Sequence, residues 1–335
     1  MTINIPSHKL IRNEEDEDEP VVDDWEIFKS SYYKLFTNKS IETMHEKQYQ
    51  RLVDQIKMHN DLFKQGKSTY EMGINEFADY TEEEYQMLEG VKFTMDDLKN
   101  TDVVEAFAPI NGQNFTVFGA LPDEVDWRKR GYVSPVKSQR KCGSCHIWSA
   151  IGAIEGAYKK KTGKLISLSV QQVLDCTPNN ACLGGWMTTT YDYLKKIKGV
   201  ESDASYPYKA RKNKCAYKKA KSVTSIKGFI NIKSGDEDAL KYAIATHGPV
   251  AAAIDASRPG FKSYKRGVYF DKNCSSTALT HAILIVGYGK DKKLGDYYLI
   301  KNSWSTTFGM KGYMKLARNK NNHCGIATGA SVPLL

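Results

Sequence analysis

Aromatic residues recur at helical spacing near the start of the chain. Trp25, Phe28, Tyr32 and Phe36 stand three or four residues apart behind an acidic lead-in, which predicts an amphipathic helix. A second helix is predicted from Ile41 to Phe63, with Tyr49, Leu52, Ile56 and Phe63 as its apolar stripe. Both stripes are packing faces. From Val91 to Ala120 the periodicity is weak, so this passage reads as an extended linker. After Leu121 the pattern strengthens. Ser144 is placed to cap a helix whose inner face is Ile147 or Trp148, then Ile151, Ile154 and Tyr158. Lys159, Lys160 and Lys161 suit its carboxyl end and Gly163 its stop. Further on, "HAILIVGYG", "DYYLIKNSW" and "GYMKLARN" predict strands joined by polar turns. The part after Leu121 is therefore a helix-rich half followed by a strand-rich half, with no internal repeat.

Composition adds exclusions. The 335 residues, 41% hydrophobic and 26% charged, have the proportions of a globular chain. No apolar run approaches the ~18 residues of a membrane-spanning helix. The first residues show no apolar segment of roughly 7–15 residues, the mark of a secretory signal. The run Glu14 to Glu19 reads as a solvated, disordered tail. Residues 1–119 carry 12 Lys and Arg against 24 Asp and Glu; the rest carries 36 against 15. The two parts are thus −12 and +21, opposite signs that favour docking of one on the other and weaken with salt. The Lys-rich stretch 209–221 has no nucleic-acid module around it and reads as a solvated face.

Seven cysteines, at 142, 145, 176, 182, 215, 274 and 324, all lie in the basic part. Six can pair, which suits an oxidising compartment and leaves one thiol. The stretch "QRKCGSCHIWSA" permits three chemistries: covalent haem attachment at Cys142-x-x-Cys145-His146, a dithiol redox pair, or a single attacking thiolate. Cys145 opens the predicted helix, where unpaired N–H groups and the helix dipole favour a thiolate. An attacking thiolate also needs an imidazole, a group to orient that ring, and donors for an oxyanion. His281 at the head of "HAILIVGYG" and Asn302 in "LIKNSW", with Trp304 able to shield it from water, supply candidates. The histidines lack metal-ligand spacing, and no nucleotide-binding glycine motif is present.

With these residues in place, the chain resembles the papain-like cysteine proteases of the cathepsin L group, in zymogen form, over residues 22–335. The motifs "GSC", "DEVDWRKRGYVSPVKSQ", "CLGG", "HAILIVGYG" and "KNSW" carry the resemblance. It implies an α+β, two-lobed papain-like fold, with a helical lobe and an antiparallel β-barrel-like lobe, preceded by a helical propeptide. The implied divisions are a tail over 1–21, an inhibitory propeptide over 22–119 and a peptidase domain over 120–335. Cys145 is then the nucleophile, His281 the general acid and base, Asn302 the orienting amide, and Gln139 with the Cys145 N–H the oxyanion hole. The implied disulfides are Cys142 with Cys182, Cys176 with Cys215, and Cys274 with Cys324. That pairing leaves Cys145 alone, agrees with the odd count, and argues against haem or dithiol chemistry.

The resemblance extends to inhibition and specificity. Gly73, Asn75, Phe77 and Asp79 match the propeptide motif G-x-N-x-F-x-D. The long-helix signature keeps Tyr49, Ile56 and Asn60, but has Ile41, His45 and Leu52 where Glu, Arg and Asn are usual. The implied propeptide covers the cleft until acid weakens its ionic attraction, with cleavage near Phe118 to Leu121. Substrate peptide would lie along Gly184 and Gly185 by strand addition. The pocket for the second residue before the cleaved bond would be lined by Trp186, Met187, Ala253, Leu279, Ala282 and Gly329. A bulky apolar residue is expected there, and Arg is disfavoured because no carboxylate stands at Gly329. Also implied are action without cofactor or metal, a monomer, cystatin-type inhibitors as partners, and a lysosomal, endosomal or extracellular setting. The competing expectation is a papain-like binding protein that holds peptides or anionic surfaces without turnover. Departures around the cleft favour it: Arg140 for Gly, His146 and Trp148 for Trp and Phe, Thr280 for Asp, and Ser305, Thr307 and Phe308 for Gly, Gly and Trp. Leu183 for Asn is milder.

Overall fold

The computed structural model describes residues 25–92 and 121–335. The acidic run Glu14 to Glu19 and the proposed cleavage region Phe118 to Ala120 lie outside them. The leader holds α1 (Trp25–Ser31), α2 (Lys39–Lys64), β1 (Tyr70–Met72) and α3 (Glu82–Gln86). Helix α2 starts where the Asn38 side chain accepts the Ser40 N–H at 2.7 Å. α1 is shorter than the aromatic spacing predicts. The chain turns at Tyr33, whose φ is 53°, and Phe36 comes back from beyond the helix to stack 5.8 Å from Trp25. Tyr49 of α2 closes this cluster at 4.6 Å from Phe28. The aromatic positions thus specify a cluster rather than one long helix.

The second part begins with β2 (Val125–Asp126), then α4 (Cys145–Thr162), α5 (Val170–Cys176) and α6 (Met187–Ile197). There follow β3 (Val200–Glu201), β4 (Ser222–Thr224), β5 (Gly228–Asn231), α7 (Glu237–His247), β6 (Val250–Ile254) and α8 (Pro259–Lys262). The strand-rich end comprises β7 (Tyr264–Tyr269), β8 (His281–Asp291), β9 (Gly295–Lys301), β10 (Tyr313–Ala317) and β11 (Ala330–Leu334). Ile147, Ile151 and Ile154 of α4 are buried, Trp148 and Tyr158 half-buried, and Gly163 ends the helix in the left-handed region at φ 76°. Ser144 precedes the helix without capping it; its hydroxyl meets that of Tyr208 at 2.8 Å instead.

The main sheet runs β1-β7-β10-β9-β8-β6-β11-β5, with β2 on β8. An antiparallel, barrel-like lobe was the expectation. The described strands form a largely antiparallel ladder from β1 to β5 that is not closed into a barrel, with β7 paired to β10 in parallel. At one end of the ladder the leader's β1 covers the edge of β7, pairing Tyr70 with Gly267.

Two apolar clusters fill the second part. One joins α4, α5 and α6; the other lies on the sheet and is shared with the leader, through Ile56, Tyr70, Met72, Phe77, Tyr85 and Leu88. The leader is therefore part of the core rather than an ornament on it. Phe77, 4% exposed, meets the Trp304 ring edge-on at 5.8 Å. Phe77→Ala is expected to lower the stability of the intact chain by about 3 kcal/mol, the usual cost of emptying an aromatic core site. A urea unfolding series checks it, and a loss under about 1 kcal/mol would mean that the leader packs more loosely than described.

Candidate active site

Helix α4 begins at Cys145, the free cysteine among the described residues, and the sulfur is fully buried. The other six are paired: Cys142 with Cys182, Cys176 with Cys215, Cys274 with Cys324. The first of these ties the loop before Cys145 to the turn carrying Gly184 and Gly185. Cys274, His323 and Cys324 also lie within 4.8 Å of one another, but both sulfurs are spent in the disulfide.

Strand β8 brings His281 and Ala282 to the same place. The Ala282 N–H donates to Cys145 Sγ at 3.5 Å. His281 Nε2 lies 2.9 Å from Asn302 Oδ1 at the end of β9, which fixes the orientation of the ring. Trp304 covers this pair at 4.5 Å from the imidazole, backed by Phe261 and by Phe308 at 5.5 Å. Gln139 is held from three sides: its N–H donates to Ser303 O at 2.8 Å, its Oε1 accepts from Ser303 Oγ at 2.7 Å, and its Nε2 donates to Cys142 O at 3.0 Å. Cys145, His281, Asn302 and Gln139, drawn from three separate stretches, thus converge.

The leader fills the remaining space. Gln139 Nε2 also donates to the Leu88 carbonyl at 2.9 Å. Gly185 N–H donates to Gly90 O at 2.9 Å, Lys92 N–H to Gly185 O at 3.2 Å, and Val91 N–H to Thr280 O at 3.0 Å. Residues 90–92 therefore lie as a short parallel strand on Gly185. Gly90 must be glycine: a Cβ there would stand 1.8 Å from the Gly143 carbonyl oxygen. The passage expected to be extended from Val91 onward is extended at its first two residues, and its pairing with Gly185 and Thr280 was not foreseen because those partners come from distant parts of the chain. Gly90 was the one local sign.

Burial decides the charges. It pushes the Cys145 thiol from 9.0 up to about 11, although the amides of Ala282, Gly90 and His146 favour the thiolate. It pushes the His281 ring from 6.5 down to about 4, against the Asn302 amide and the Leu88 carbonyl. In this closed form burial outweighs the backbone hydrogen bonds to the sulfur and shifts both groups toward their neutral forms. Glu89, buried beside them, is pushed from 4.5 up to about 7 by desolvation, and Lys262 at 3.9 Å offsets this only in part.

The leader's motif residues each grip the second part or the leader itself. Gly73 N–H donates to Ser263 O at 2.8 Å, and Asn75 Nδ2 to Lys262 O at 2.8 Å. Asp79, 1% exposed, accepts Lys34 Nζ at 2.7 Å. His45 stands where Arg was expected and donates from Nδ1 to Asp79 O at 2.8 Å. Ion pairs cross the boundary from Glu71 to Lys265 and Arg266, from Lys262 to Glu82, and from Lys141 to Glu84.

The pocket residues also gather. Val91 packs, half-buried, against the cluster that holds Trp186, Met187, Ala253, Leu279 and Ala282. Gly329 O accepts the Ala253 N–H at 3.2 Å, and Gly329 abuts Trp186. The departures keep backbone geometry: Arg140 and Ser305 take left-handed conformations, φ 52° and 68°, where glycine was expected. Thr307 Oγ1 donates to Glu76 of the leader at 2.8 Å, and Leu183 is exposed. His146 is buried beneath Gly185, with the ring where a Gly185 Cβ would sit and Nδ1 without a partner among the described residues.

Residues 121–334 match the family described as papain family cysteine protease, and residues 25–85 match the cathepsin propeptide inhibitor domain. The chain is similar to a cathepsin L-like protein of Caenorhabditis elegans, 41% identical over 95% of this chain and 93% of that one. It is similar to a cathepsin L-like peptidase of Aedes aegypti, 42% identical over 95% and 94%. Among solved structures it resembles a digestive procathepsin L 3 of Tenebrio molitor larval midgut, with a TM-score of 0.81 and 35% identity over 93% of this chain and 98% of that one.

Because the Leu88 to Lys92 stretch seals the sulfur, iodoacetamide should leave Cys145 of the intact chain unmodified, whereas Gly90→Ala should speed its alkylation at least tenfold. Mass mapping of the modified cysteine reads the difference. Equal rates in the two proteins would show that residues 88–92 do not seal the site.

Proposed function

The chain belongs to the papain family of cysteine proteases, as a cathepsin L-like zymogen with its inhibitory propeptide, and on that premise we propose that Cys145 and His281 perform peptide-bond hydrolysis once the propeptide leaves. The observation that carries this reading is the lie of residues 88–92: backbone along Gly185, the Leu88 carbonyl on Gln139, and Gly90 against Cys145. A peptide in their place puts a carbonyl between the sulfur and the Gln139 amide.

Opening to water removes the burial that keeps the pair neutral, and a proton passes from Cys145 to His281. The sulfur adds to the carbonyl carbon. The oxyanion receives hydrogen bonds from Gln139 Nε2 and the Cys145 N–H. Collapse breaks the C–N bond, and the departing amine takes the proton from His281. Water, deprotonated by His281, then attacks the thioester, releasing the acid and restoring the thiol. Asn302 orients the ring throughout, under the shield of Trp304 and Phe308. The pocket formed by Trp186, Met187, Ala253, Leu279, Ala282 and Gly329 carries no charge, which supports preference for a bulky apolar residue second before the cleaved bond and poor use of Arg.

The same reading assigns the propeptide to residues 22–119, the peptidase domain to 120–335 and processing to Phe118 to Leu121. It makes the enzyme a monomer open to cystatin-type inhibitors, in a lysosomal, endosomal or extracellular setting.

Acid drives release through groups whose closed-state pKa is depressed. His281 is one, lowered to about 4 by burial. Glu71 is another: burial raises it, but hydrogen bonds from Lys265 and Arg266 bring the net shift below 4.5. Each stabilises the closed form above its ordinary pKa and loses that effect as pH falls through the lowered one. Glu89 acts the other way. Its raised value, about 7, stabilises the closed form below 4.5 and loses that effect as pH climbs through 7.

Acidifying the purified full chain to about pH 4.5 with a peptide bearing an apolar second residue should give a mass drop and hydrolysis, both absent in Cys145→Ala. An intact chain with no hydrolysis, and with Cys145 inert after forced propeptide removal, would instead indicate the binding protein. In a His281→Ala background, which cannot process itself at acid pH, Glu89→Gln should slow the trace Cys145 alkylation seen on long exposure several-fold at pH 7 and change it far less at pH 4.5, where the carboxyl of the closed form is already protonated. A difference of the same size at both pH values would refute the titration of Glu89.

A further inference from the structure

The leader marks out two sides of Cys145. Residues 90–92 lie on the Gly185 strip, where the part of a substrate before the cleaved bond is placed above. At Gly90 the chain passes the sulfur, and the Leu88 carbonyl reaches Gln139. Residues 82–89 lie beyond that crossing, on the side where the departing half of a substrate must sit.

That side is cationic on the second part and acidic on the leader. Lys262 of α8 donates from Nζ to Glu82 Oε2 at 3.1 Å, lies 3.9 Å from Glu89 Oε1, and stands 4.2 Å from the centre of the Tyr85 ring. Lys141, two residues after Gln139, donates to Glu84 Oε1 at 3.1 Å and stands 5.5 Å from the Tyr80 ring. Arg140, beside it, is exposed. Loss of the leader takes Glu82, Glu84 and Glu89 away together. Lys262, only 4% exposed beneath them, then faces water close to the sulfur, since its neighbour Glu89 adjoins Gly90. Lys141 loses Glu84, while its loop stays tied by the Cys142–Cys182 disulfide and by Gln139 on Ser303. The second part supplies little to replace those carboxylates. Position 280, where Asp was expected, is Thr280, and Asp255 is 2% exposed and already engaged by the Ser257 hydroxyl and the Ser275 N–H.

We propose that Lys262 and Lys141, with Arg140 beside them, form a cationic subsite on the leaving side of the cleft that recognises Asp or Glu within the first three residues after the cleaved bond. The proposal rests on the protease reading above and adds a class of substrate to it, peptides acidic on the departing side. Three extended residues span about 10 Å, which covers the way from the sulfur to a cation already in contact with the residue next to Gly90. The leader's own carboxylates show that both lysines accept such a group. Two ion pairs within reach of water are worth about 5-fold in kcat/KM.

The test uses the full chain after acid activation and internally quenched peptides that share an apolar second residue before the cleaved bond. They carry Glu, Gln or Lys at the first, second or third residue after it. The proteins are wild type, Lys262→Gln, Lys141→Glu and Cys145→Ala. At about pH 5.5 and low salt, the wild type should favour Glu over Gln at least about 5-fold at one of these positions, with Lys below both. That ratio should fall toward one at about pH 3.5, where the peptide carboxyl is protonated, and in about 0.5 M salt. Lys262→Gln should lower it several-fold, and Lys141→Glu should move the preference toward Lys. Lys141→Glu changes an exposed loop and the wild-type ratios need no variant, so poor folding of Lys262→Gln leaves the test intact. Cys145-dependent hydrolysis that treats Glu like Gln at all three positions, or a ratio indifferent to pH and to both variants, overturns the subsite and leaves the protease reading standing. Absence of any Cys145-dependent hydrolysis overturns both.

Discussion

Whether water reaches one sulfur and one imidazole governs what this molecule does. Cys145 sits at the start of a helix, the place most favourable to a thiolate, yet its pKa is driven up to about 11 by complete burial. His281 is driven down to about 4 by the same cause. The cover responsible is five residues long, Leu88 to Lys92, held by backbone hydrogen bonds to Gly185 and Thr280 and by Gln139. The cover therefore does more than block access, since it also shifts both groups toward their neutral forms.

Backbone pairing suits a segment that must both bind and leave. Across residues 90–92 it relies on the backbone, so Gly90 can approach Gly143 closely, while Leu88 and Val91 supply the apolar side chains. The specific grip is placed elsewhere, in Phe77 on Trp304, Asn75 on Lys262 and β1 on the edge of β7. These contacts anchor the leader through the core, and the ionic contacts around Glu71, Glu82 and Glu84 make the attachment responsive to salt.

The departures from the family pattern are absorbed without loss of shape. Arg140 and Ser305 adopt the left-handed backbone usual for glycine, and Phe308 completes the aromatic stack over Trp304. His146 takes the space beneath Gly185, a second buried imidazole. The cleft thus retains its frame while its walls change chemistry.

Much was legible in the chain before any fold was known. Apolar spacing located α2, α4, β8, β9 and β10 because helix and strand periods are local properties, and the odd cysteine count singled out one thiol. The residues of the candidate site were named from short motifs, each of which needs a particular residue type. Other features depended on residues far apart in sequence meeting. No local pattern could reveal that Val91 pairs with Gly185, that a leader strand extends the sheet while β7 pairs β10 in parallel, or that Trp186 abuts Gly329 143 positions away. The neutral state of Cys145 and His281 belongs to the same class, because desolvation is set by what packs above a group and not by its neighbours along the chain.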